Sequence, residues 1–183
     1  MNKICNELMK KLLNKYVEKI EKINPILNKC EPIKDINFNN FDEKEFKKLI
    51  DKKIKNNNAK YLYIIKNLDN FISKESIEKF IQIKADKKFM LSRVNSNNND
   101  IKNIDGKNTC LYVGSSHDIK LRLREHIGKY SPRTYSLHLS KWFSGRVSIY
   151  LYIVENDDDN DLQLFEDLLW NEFKPIFGRQ GKK

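Results

Sequence analysis

The stretch Leu111–Gly128, LYVGSSHDIKLRLREHIG, decides the fold that the sequence predicts. Its first residues are typical of a short strand, which a tight turn at Gly114-Ser115-Ser116 would end. A helix should follow, with Ser116 as the N-cap and Asp118 in the first turn. The glycine at position 128 is typical of the residue just beyond a helix. The stretch therefore predicts a strand, a turn and a helix in direct succession.

The predicted helix has one apolar face and one polar face. Ile119, Leu123 and Ile127 recur every four residues and predict a buried seam. Arg122 and His126 are also four residues apart, which places them side by side, about 6 Å apart along the helix axis. A guanidinium and an imidazole held beside the preceding strand form a candidate phosphate site.

This stretch resembles the GIY-YIG nuclease family. Tyr112-Val113-Gly114 matches the second half of the family signature, and Arg122 matches the arginine that follows it. The earlier segment KYLYIIKN, Lys60–Asn67, resembles the strand of the first half, with Tyr63 where the family has its tyrosine. Tyr61 stands where the family has glycine, and the two signature tyrosines are 49 positions apart instead of being joined by a short connection.

A later segment, LQLFEDLLWNEFKPIFGRQG, resembles the family helix that carries a metal-binding glutamate followed by a proline. Glu166 and Pro175 match these two residues. The family asparagine beyond the proline has no counterpart, because Gly178 falls near its position. Gln180 is the candidate for its replacement.

The helical pattern singles out Glu166 without help from the family. With about 100° per residue, Leu162, Leu169 and Phe173 lie within about 20° of one direction, and Glu166 falls about 40° from it, inside the apolar stripe. A buried carboxylate needs a partner, which is either a metal ion or an internal salt bridge to lysine or arginine. Together with the resemblance, the pattern favours a hard divalent cation such as Mg²⁺.

The charge of the chain favours a polyanionic partner. The net charge is +10 and the isoelectric point is about 9.4. Residues 114–146 hold seven Lys/Arg against two Asp/Glu, residues 147–173 hold eight acidic and no basic residues, and residues 174–183 hold four basic and no acidic residues. This distribution suits a site that holds a nucleic-acid backbone around a cation, although a generally lysine-rich chain is the simpler alternative.

The elements predict an α+β fold in which a small, three-stranded, mainly antiparallel sheet is flanked by helices. Residues 1–58 are predicted to be an N-terminal helical extension, and residues 59–183 a nuclease-like domain with an insertion at 67–108. The predicted helices are Lys3–Ile23, Asp42–Ile54, Lys74–Lys87 and Asp161–Phe173, and the third strand is Arg146–Val154. A polar loop is expected at Asn95–Asn108.

Each candidate residue also has a purely structural interpretation. Tyr63 and Tyr112 could be core rings with satisfied hydroxyls, Arg122 an exposed helix residue, and His126 a partner of the helix end. In the segment Tyr130–Arg146, aromatic and basic side chains alternate, but its Trp142-Phe143 pair could equally pack beneath the sheet.

The resemblance implies a metal-dependent endonuclease that hydrolyses DNA. Its catalytic residues would be Tyr63, Tyr112, Arg122, His126 and Glu166. Tyr63 would position or deprotonate the water, Tyr112 would support it or contact the phosphate, and Arg122 would bind a phosphate oxygen. His126 would orient this network or help the tyrosine to lose its proton, and Glu166 would hold Mg²⁺ or Mn²⁺. Candidate nucleic-acid contacts are Gly114, Ser115, Lys120, Arg124, Arg133, Lys141, Arg179 and Gln180.

Double-stranded DNA is the expected partner, a homodimer that cuts both strands is possible, and a restriction or mobile-element role suits the short chain. Two rivals are a catalytically inactive DNA-binding protein on the same fold and a helical adaptor without affinity for nucleic acid. The three cysteines lack metal-site spacing, and no segment has the apolar length of a membrane span, which predicts a reduced, cytoplasmic protein.

Overall fold

The computed structural model describes residues 32–55, 59–69, 71–95, 110–154 and 159–181, together with the single positions Asn14, Val17 and Glu18. The chain divides into two compact units, Met1–Glu31 and Pro32–Lys183. The unit that contains the sheet thus begins at residue 32, before the boundary predicted at 58/59. The predicted helix Lys3–Ile23 and residues 96–108 of the predicted loop lie outside the described residues, apart from the three single positions.

The described elements alternate between strands and helices. In chain order they are β1 (Pro32–Asn37), α1 (Glu43–Lys53), β2 (Lys60–Asn67), α2 (Lys74–Asp86), β3 (Cys110–Ser116), α3 (Ile119–Ile127), β4 (Arg146–Val154) and α4 (Asp159–Phe173). The strands form one antiparallel sheet in the order β1-β4-β2-β3. The α+β class and the antiparallel sheet are confirmed.

The predicted number of three strands is wrong, because β1 adds a fourth strand beside β4. The register of this pair shifts between Pro32 and Asp35, as at a β-bulge. Ile33 and Ile36 are both buried, although they are three positions apart. A bulge breaks the alternation of period two by which a strand is recognised in sequence.

The sheet is covered on both faces, so β2 buries side chains on both. Side chains alternate between faces along a strand, so Tyr63 and Ile65 lie on one face, and Leu62 and Ile64 on the other. The first face belongs to the main core, which includes the seam of α3. α4 packs along β2 and β3 and buries Leu162, Phe165 and Leu169.

The turn before α3 lies later than predicted. β3 continues through Ser116, which pairs with Tyr61 of β2, so the predicted turn at Gly114-Ser115-Ser116 is wrong. The N-cap of α3 is Asp118, whose carboxylate accepts a hydrogen bond from the Leu121 amide at 3.0 Å. Ser116 instead accepts from the Asp118 amide. Gly128 ends the helix in the left-handed conformation, as predicted.

The insertion between β2 and β3 contains α2 and then pairs with later parts of the chain. α2 begins at Lys74 with Ser73 as its N-cap. The segment that follows pairs with two distant parts of the chain, through a bridge from Leu91 to Ser136 and another from Val94 to Phe177. Among the described helices, none has both the length and the apolar character needed to cross a membrane.

Candidate active site

The two signature tyrosines stack on one face of the sheet. Tyr63 pairs with Gly114 in the register of β2 and β3, and the rings of Tyr63 and Tyr112 stack with centroids 5.9 Å apart. A Cβ atom at Gly114 would lie 2.7 Å from the Tyr63 hydroxyl and from the Tyr112 ring. The glycine of the YVG triplet is therefore required because both rings lie over its α-carbon.

Arg122 connects these tyrosines to α3. Its Nε donates to the Tyr63 hydroxyl and one terminal nitrogen donates to the Tyr112 hydroxyl, both at 3.2 Å. The remaining bonds go to the Glu125 carboxylate at 2.8 Å and to the Tyr135 carbonyl at 3.1 Å. The interpretation of Arg122 as a fully exposed helix residue is wrong, because its side chain is only 20% exposed. These four bonds occupy all but one of its N–H donors.

His126 lies beneath Tyr63 and is fully buried. The Leu137 amide donates to its Nδ1 at 3.2 Å, so Nδ1 carries a lone pair and the proton of the neutral ring resides on Nε2. Nε2 lies 2.9 Å from the Tyr63 hydroxyl and therefore donates to it. Burial, and then the nearby Arg122 guanidinium, hold the pKa of His126 well below its usual value. The geometry supports the orienting role, and it opposes the alternative in which the imidazole takes the tyrosine proton.

Tyr63 is enclosed on all sides, with 0% of its surface exposed. Burial is the main reason why its pKa lies well above the usual value of 10.0, although Arg122 acts to lower it. Two N–H donors converge on the phenolic oxygen, which fixes its position. A direct role in deprotonating water does not fit this environment, whereas Tyr112 on the same face is partly exposed.

Glu166 lies at the outer edge of β3, close to the cluster formed by Arg122 and the two tyrosines. Ser115 faces α4, because it pairs with Leu62, and its hydroxyl donates to the Glu166 carboxylate at 2.5 Å. Burial raises the pKa of Glu166, while the Ser115 hydroxyl and amide and the more distant Arg122 lower it. Since β3 is an edge strand, the carboxylate on one face and the Arg122 cluster on the other meet across a single strand.

The surroundings of Glu166 fit a divalent cation. Within the described part of the chain, the carboxylate has no ion pair to lysine or arginine, so the predicted alternative of an internal salt bridge is wrong. A partly buried carboxylate whose pKa is raised by burial gains most from a cationic partner. The described residues contain no group of three or more His, Cys, Asp or Glu that could together hold a metal ion. Glu166 would therefore be the protein ligand, with the other positions left to water and phosphate oxygen, as suits Mg²⁺.

Gly178 explains the missing asparagine. Its φ angle is 108°, and a Cβ atom there would lie 3.0 Å from the rings of both Trp170 and Tyr112. An asparagine at this position would be strained by this φ angle, and its Cβ atom would press against both rings. Gln180, the predicted replacement, is exposed.

The predicted nucleic-acid contacts fall into different environments. Lys120 and Arg124 lie 3.7 and 3.8 Å from the Asp51 carboxylate of α1, so they belong to a surface ion-pair cluster. The Lys141 ammonium lies over the Phe89 ring. Arg133 and Arg179 are exposed. Gly114 is covered by the tyrosine rings and Ser115 is bonded to Glu166, so these two residues belong to the internal framework of the site.

Sequence reasoning missed Glu125 and Arg93 at this site, and it assigned Ser115 to nucleic-acid contact instead of to Glu166. Ser115 holds the carboxylate, and Glu125, which is buried, holds the guanidinium of Arg122. The spacing of Arg122 and Glu125, three residues apart on a helix, was a signal that could have revealed the second contact. Arg93 of the insertion lines the same cleft as Tyr112, and nothing in its local sequence indicates this. Trp142 and Phe143 are buried, so they pack in the core.

Comparison with protein families gives a match that agrees with this geometry. Residues 101–180 match the model of the GIY-YIG catalytic domain. The match covers the last part of the chain and supports a relationship to the GIY-YIG nuclease family. Searches of curated proteins and of solved structures gave no match.

The match supports a nuclease function in general, because the GIY-YIG catalytic domain is an endonuclease domain. It includes Tyr112, Arg122, His126 and Glu166 but begins after β2. The sheet register places Tyr63, which resembles the tyrosine of the first half of the motif, directly opposite Gly114. A long insertion between the two halves therefore does not separate the two tyrosines in space.

Proposed function

We propose that this protein is a metal-dependent endonuclease that hydrolyses phosphodiester bonds of double-stranded DNA. One observation carries the proposal. Arg122, two tyrosines and His126 form a continuous hydrogen-bonded cluster, and the partly buried carboxylate of Glu166 faces it across the edge of β3. A cationic group beside the phosphate and a bound metal ion both accelerate phosphodiester hydrolysis, and Arg122 and Glu166 are the residues that would supply them.

Arg122 is assigned the role of binding the scissile phosphate. Its charge is permanent, because the pKa of the guanidinium is raised well above its normal value by the neighbouring tyrosines and Glu125, despite the opposing effect of burial. The remaining N–H donor can reach a phosphate oxygen, and the bonds to Tyr63, Tyr112 and Glu125 keep the guanidinium fixed while negative charge develops. A donor held in position before reaction stabilises the transition state without reorganisation.

The two tyrosines receive different roles. Tyr112 is partly exposed and borders an open cleft, so its hydroxyl contacts the attacking water or a phosphate oxygen. Tyr63 is enclosed, so it acts through Arg122 as a positioning residue. His126 completes this support by donating to the Tyr63 oxygen from below.

Glu166 is the assigned metal ligand, and Ser115 orients its carboxylate. A bound Mg²⁺ or Mn²⁺ would supply Lewis-acid stabilisation of the phosphate and the departing oxygen. We assign the nuclease to a restriction or mobile-element role, in which two copies would cut the two strands. This biological assignment rests on analogy with the family.

The test compares two single substitutions on α4. Glu166→Gln keeps the shape of the side chain and removes the metal-binding charge, whereas Asp167→Asn removes a charge from the neighbouring position, where Asp167 accepts a bond from Gln163. Mixed plasmid DNA is incubated with each protein in Mg²⁺ and in EDTA, and product ends are sequenced. We expect cleavage by the unmodified protein and the Asp167 variant in Mg²⁺ only. The Glu166 variant should bind DNA without cutting it.

Cleavage by the Glu166→Gln protein at the unmodified rate would contradict the metal assignment. Binding without cleavage by the unmodified protein would favour the inactive DNA-binding alternative, and absence of binding would favour the adaptor.

A further inference from the structure

A cleft of about 310 Å³ opens beside the Tyr112 ring, next to the Arg122 cluster. Its lining residues come from the insertion, from β3, from the segment after α3 and from the segment after α4. They are Ser92, Arg93, Tyr112, Tyr135, Gly178 and Arg179.

Backbone hydrogen bonds fix the walls of this cleft. The Gly178 amide donates to the Arg93 carbonyl, and the Ser92 amide donates to the Ser136 carbonyl, both at 2.8 Å. The insertion is thereby tied to the segment after α4 and to the segment after α3. Arg93 and Arg179 stand on two of these connected segments, so the backbone that carries them is held in place.

The two arginines are available to a ligand. Both side chains are exposed, and among the described residues neither has a carboxylate partner. Arg122, by contrast, has one N–H donor left. Two unpaired guanidinium groups at the rim of one cleft suit an anion with several oxygen atoms, because each can donate two parallel hydrogen bonds.

Tyr112 and Tyr135 join the cleft to the site. The Arg122 guanidinium donates both to the Tyr112 hydroxyl and to the Tyr135 carbonyl, and both tyrosines line the cleft. A DNA strand with its scissile phosphate at Arg122 would therefore continue directly into the cleft.

We propose that Arg93 and Arg179 together bind the backbone phosphate next to the scissile phosphate. This inference rests on the proposed function and gives the insertion a role in holding the substrate strand. Because phosphate contacts carry no sequence information, the pair would set the position of the strand without selecting the cleavage sequence.

The experiment measures DNA binding without metal. A fluorescently labelled duplex of about 30 base pairs is titrated in EDTA at several salt concentrations with the unmodified protein and with an Arg93→Gln/Arg179→Gln double variant. Lys47→Gln/Lys53→Gln is the matched control, because it removes two exposed charges from α1. Each phosphate contact that is lost should reduce the slope of log affinity against log salt by about 0.9.

We expect the arginine double variant to lose about one unit of this slope and to bind about tenfold more weakly at low salt. The lysine control should keep the slope, and Arg93→Lys/Arg179→Lys should recover most of it, because the charge returns. Equal melting temperatures for all variants check that folding is intact.

An unchanged slope in the arginine double variant, an equal loss in the lysine control, or no binding by the unmodified protein would overturn the inference. A parallel cleavage assay in Mg²⁺ separates the two proposals. Cleavage together with an unchanged slope rejects the phosphate-binding role of the two arginines and supports the nuclease function. A reduced slope in a protein that does not cut DNA supports phosphate binding by the two arginines and rejects the nuclease function.

Discussion

The phenolic oxygen of Tyr63 is the point at which the candidate site is organised. It is buried and accepts bonds from Arg122 and His126, while His126 itself is fixed by the Leu137 amide. In a buried network each member needs its partners, since an unsatisfied donor there costs about 1–3 kcal/mol. The oxygen therefore stabilises the fold and orients Arg122 at the same time.

Replacing each tyrosine with phenylalanine separates the contribution to stability from the contribution to cleavage. Tyr63→Phe leaves two buried N–H donors without an acceptor, so it should lower the free energy of unfolding by about 1–3 kcal/mol and also reduce cleavage. Tyr112→Phe removes a partly exposed hydroxyl, so it should leave stability nearly unchanged and reduce cleavage by about 10²-fold or more. Urea denaturation and single-turnover cleavage measure the two effects.

A Tyr112→Phe protein that cuts at the unmodified rate would contradict the assignment of this hydroxyl to the substrate. It would return that role to Tyr63.

At this scale, sequence predicts neighbours along a helix better than contacts across the sheet. The spacing of Arg122 and His126 places both on one face of α3, and both reach Tyr63. The bond from Ser115 to Glu166 could not be predicted, because it joins residues 51 positions apart. It depends on which face of β3 receives α4, and the misplaced turn at Gly114-Ser115-Ser116 concealed that face.

Among the elements, α3 matters most for the site, because it carries both Arg122 and His126. Its first turn is held by the Asp118 carboxylate, and its last by Gly128 in the left-handed conformation. The position of the N-cap sets the rotation of the helix and hence the direction of both functional side chains.

Two alanine substitutions test the start of α3. Asp118→Ala should lower the free energy of unfolding by about 1 kcal/mol, because the N-cap acceptor of the Leu121 amide is lost. Ser116→Ala is the matched control and should cost less, because its hydroxyl accepts only from the Asp118 amide before the helix begins. Urea denaturation of both variants checks the order, and a larger loss for Ser116→Ala would restore the N-cap first predicted from sequence.

Elements with a regular pattern were predictable, and an irregular one was not. β4 follows its predicted range Arg146–Val154, and α2 begins at the predicted Lys74. β1 was missed, since its bulge places Ile33 and Ile36 in the core at a spacing that matches no regular strand.

At the scale of the whole molecule, the candidate site depends on the position of β3 at the edge of the sheet. An inner strand would keep its two faces apart, whereas at an edge strand Glu166 and Arg122 would be able to act on one phosphate, as we propose. The edge is partly covered, because the Ile176 and Phe177 amides donate to the carbonyls of Cys110 and Leu111. The segment after α4 thus closes one end of β3, and Ser115 lies toward the other.

The stability of the whole fold should fall in mild acid. His126 and His138 are both buried, and burial is the main reason why the pKa of each lies below 6.5. The unfolded chain therefore takes up protons below about pH 6.5 while the folded chain resists them, so this part of the stability is present above pH 6.5 and is lost as pH falls. Each histidine should lower the free energy of unfolding by up to about 1.4 kcal/mol for each pH unit.

Urea denaturation at about pH 7.5 and about pH 5.5 measures this loss, and the drop should be smaller in His126→Gln, which gains no proton at that position. Glu166 acts in the opposite direction, because its raised pKa favours the folded state as the carboxylate takes up a proton. The comparison therefore uses the difference between the two pH values within each protein, since the substitution itself also changes absolute stability. An equal drop in both proteins would show that His126 is not held neutral, and a neutral ring whose Nδ1 accepts from the Leu137 amide would then have to be abandoned.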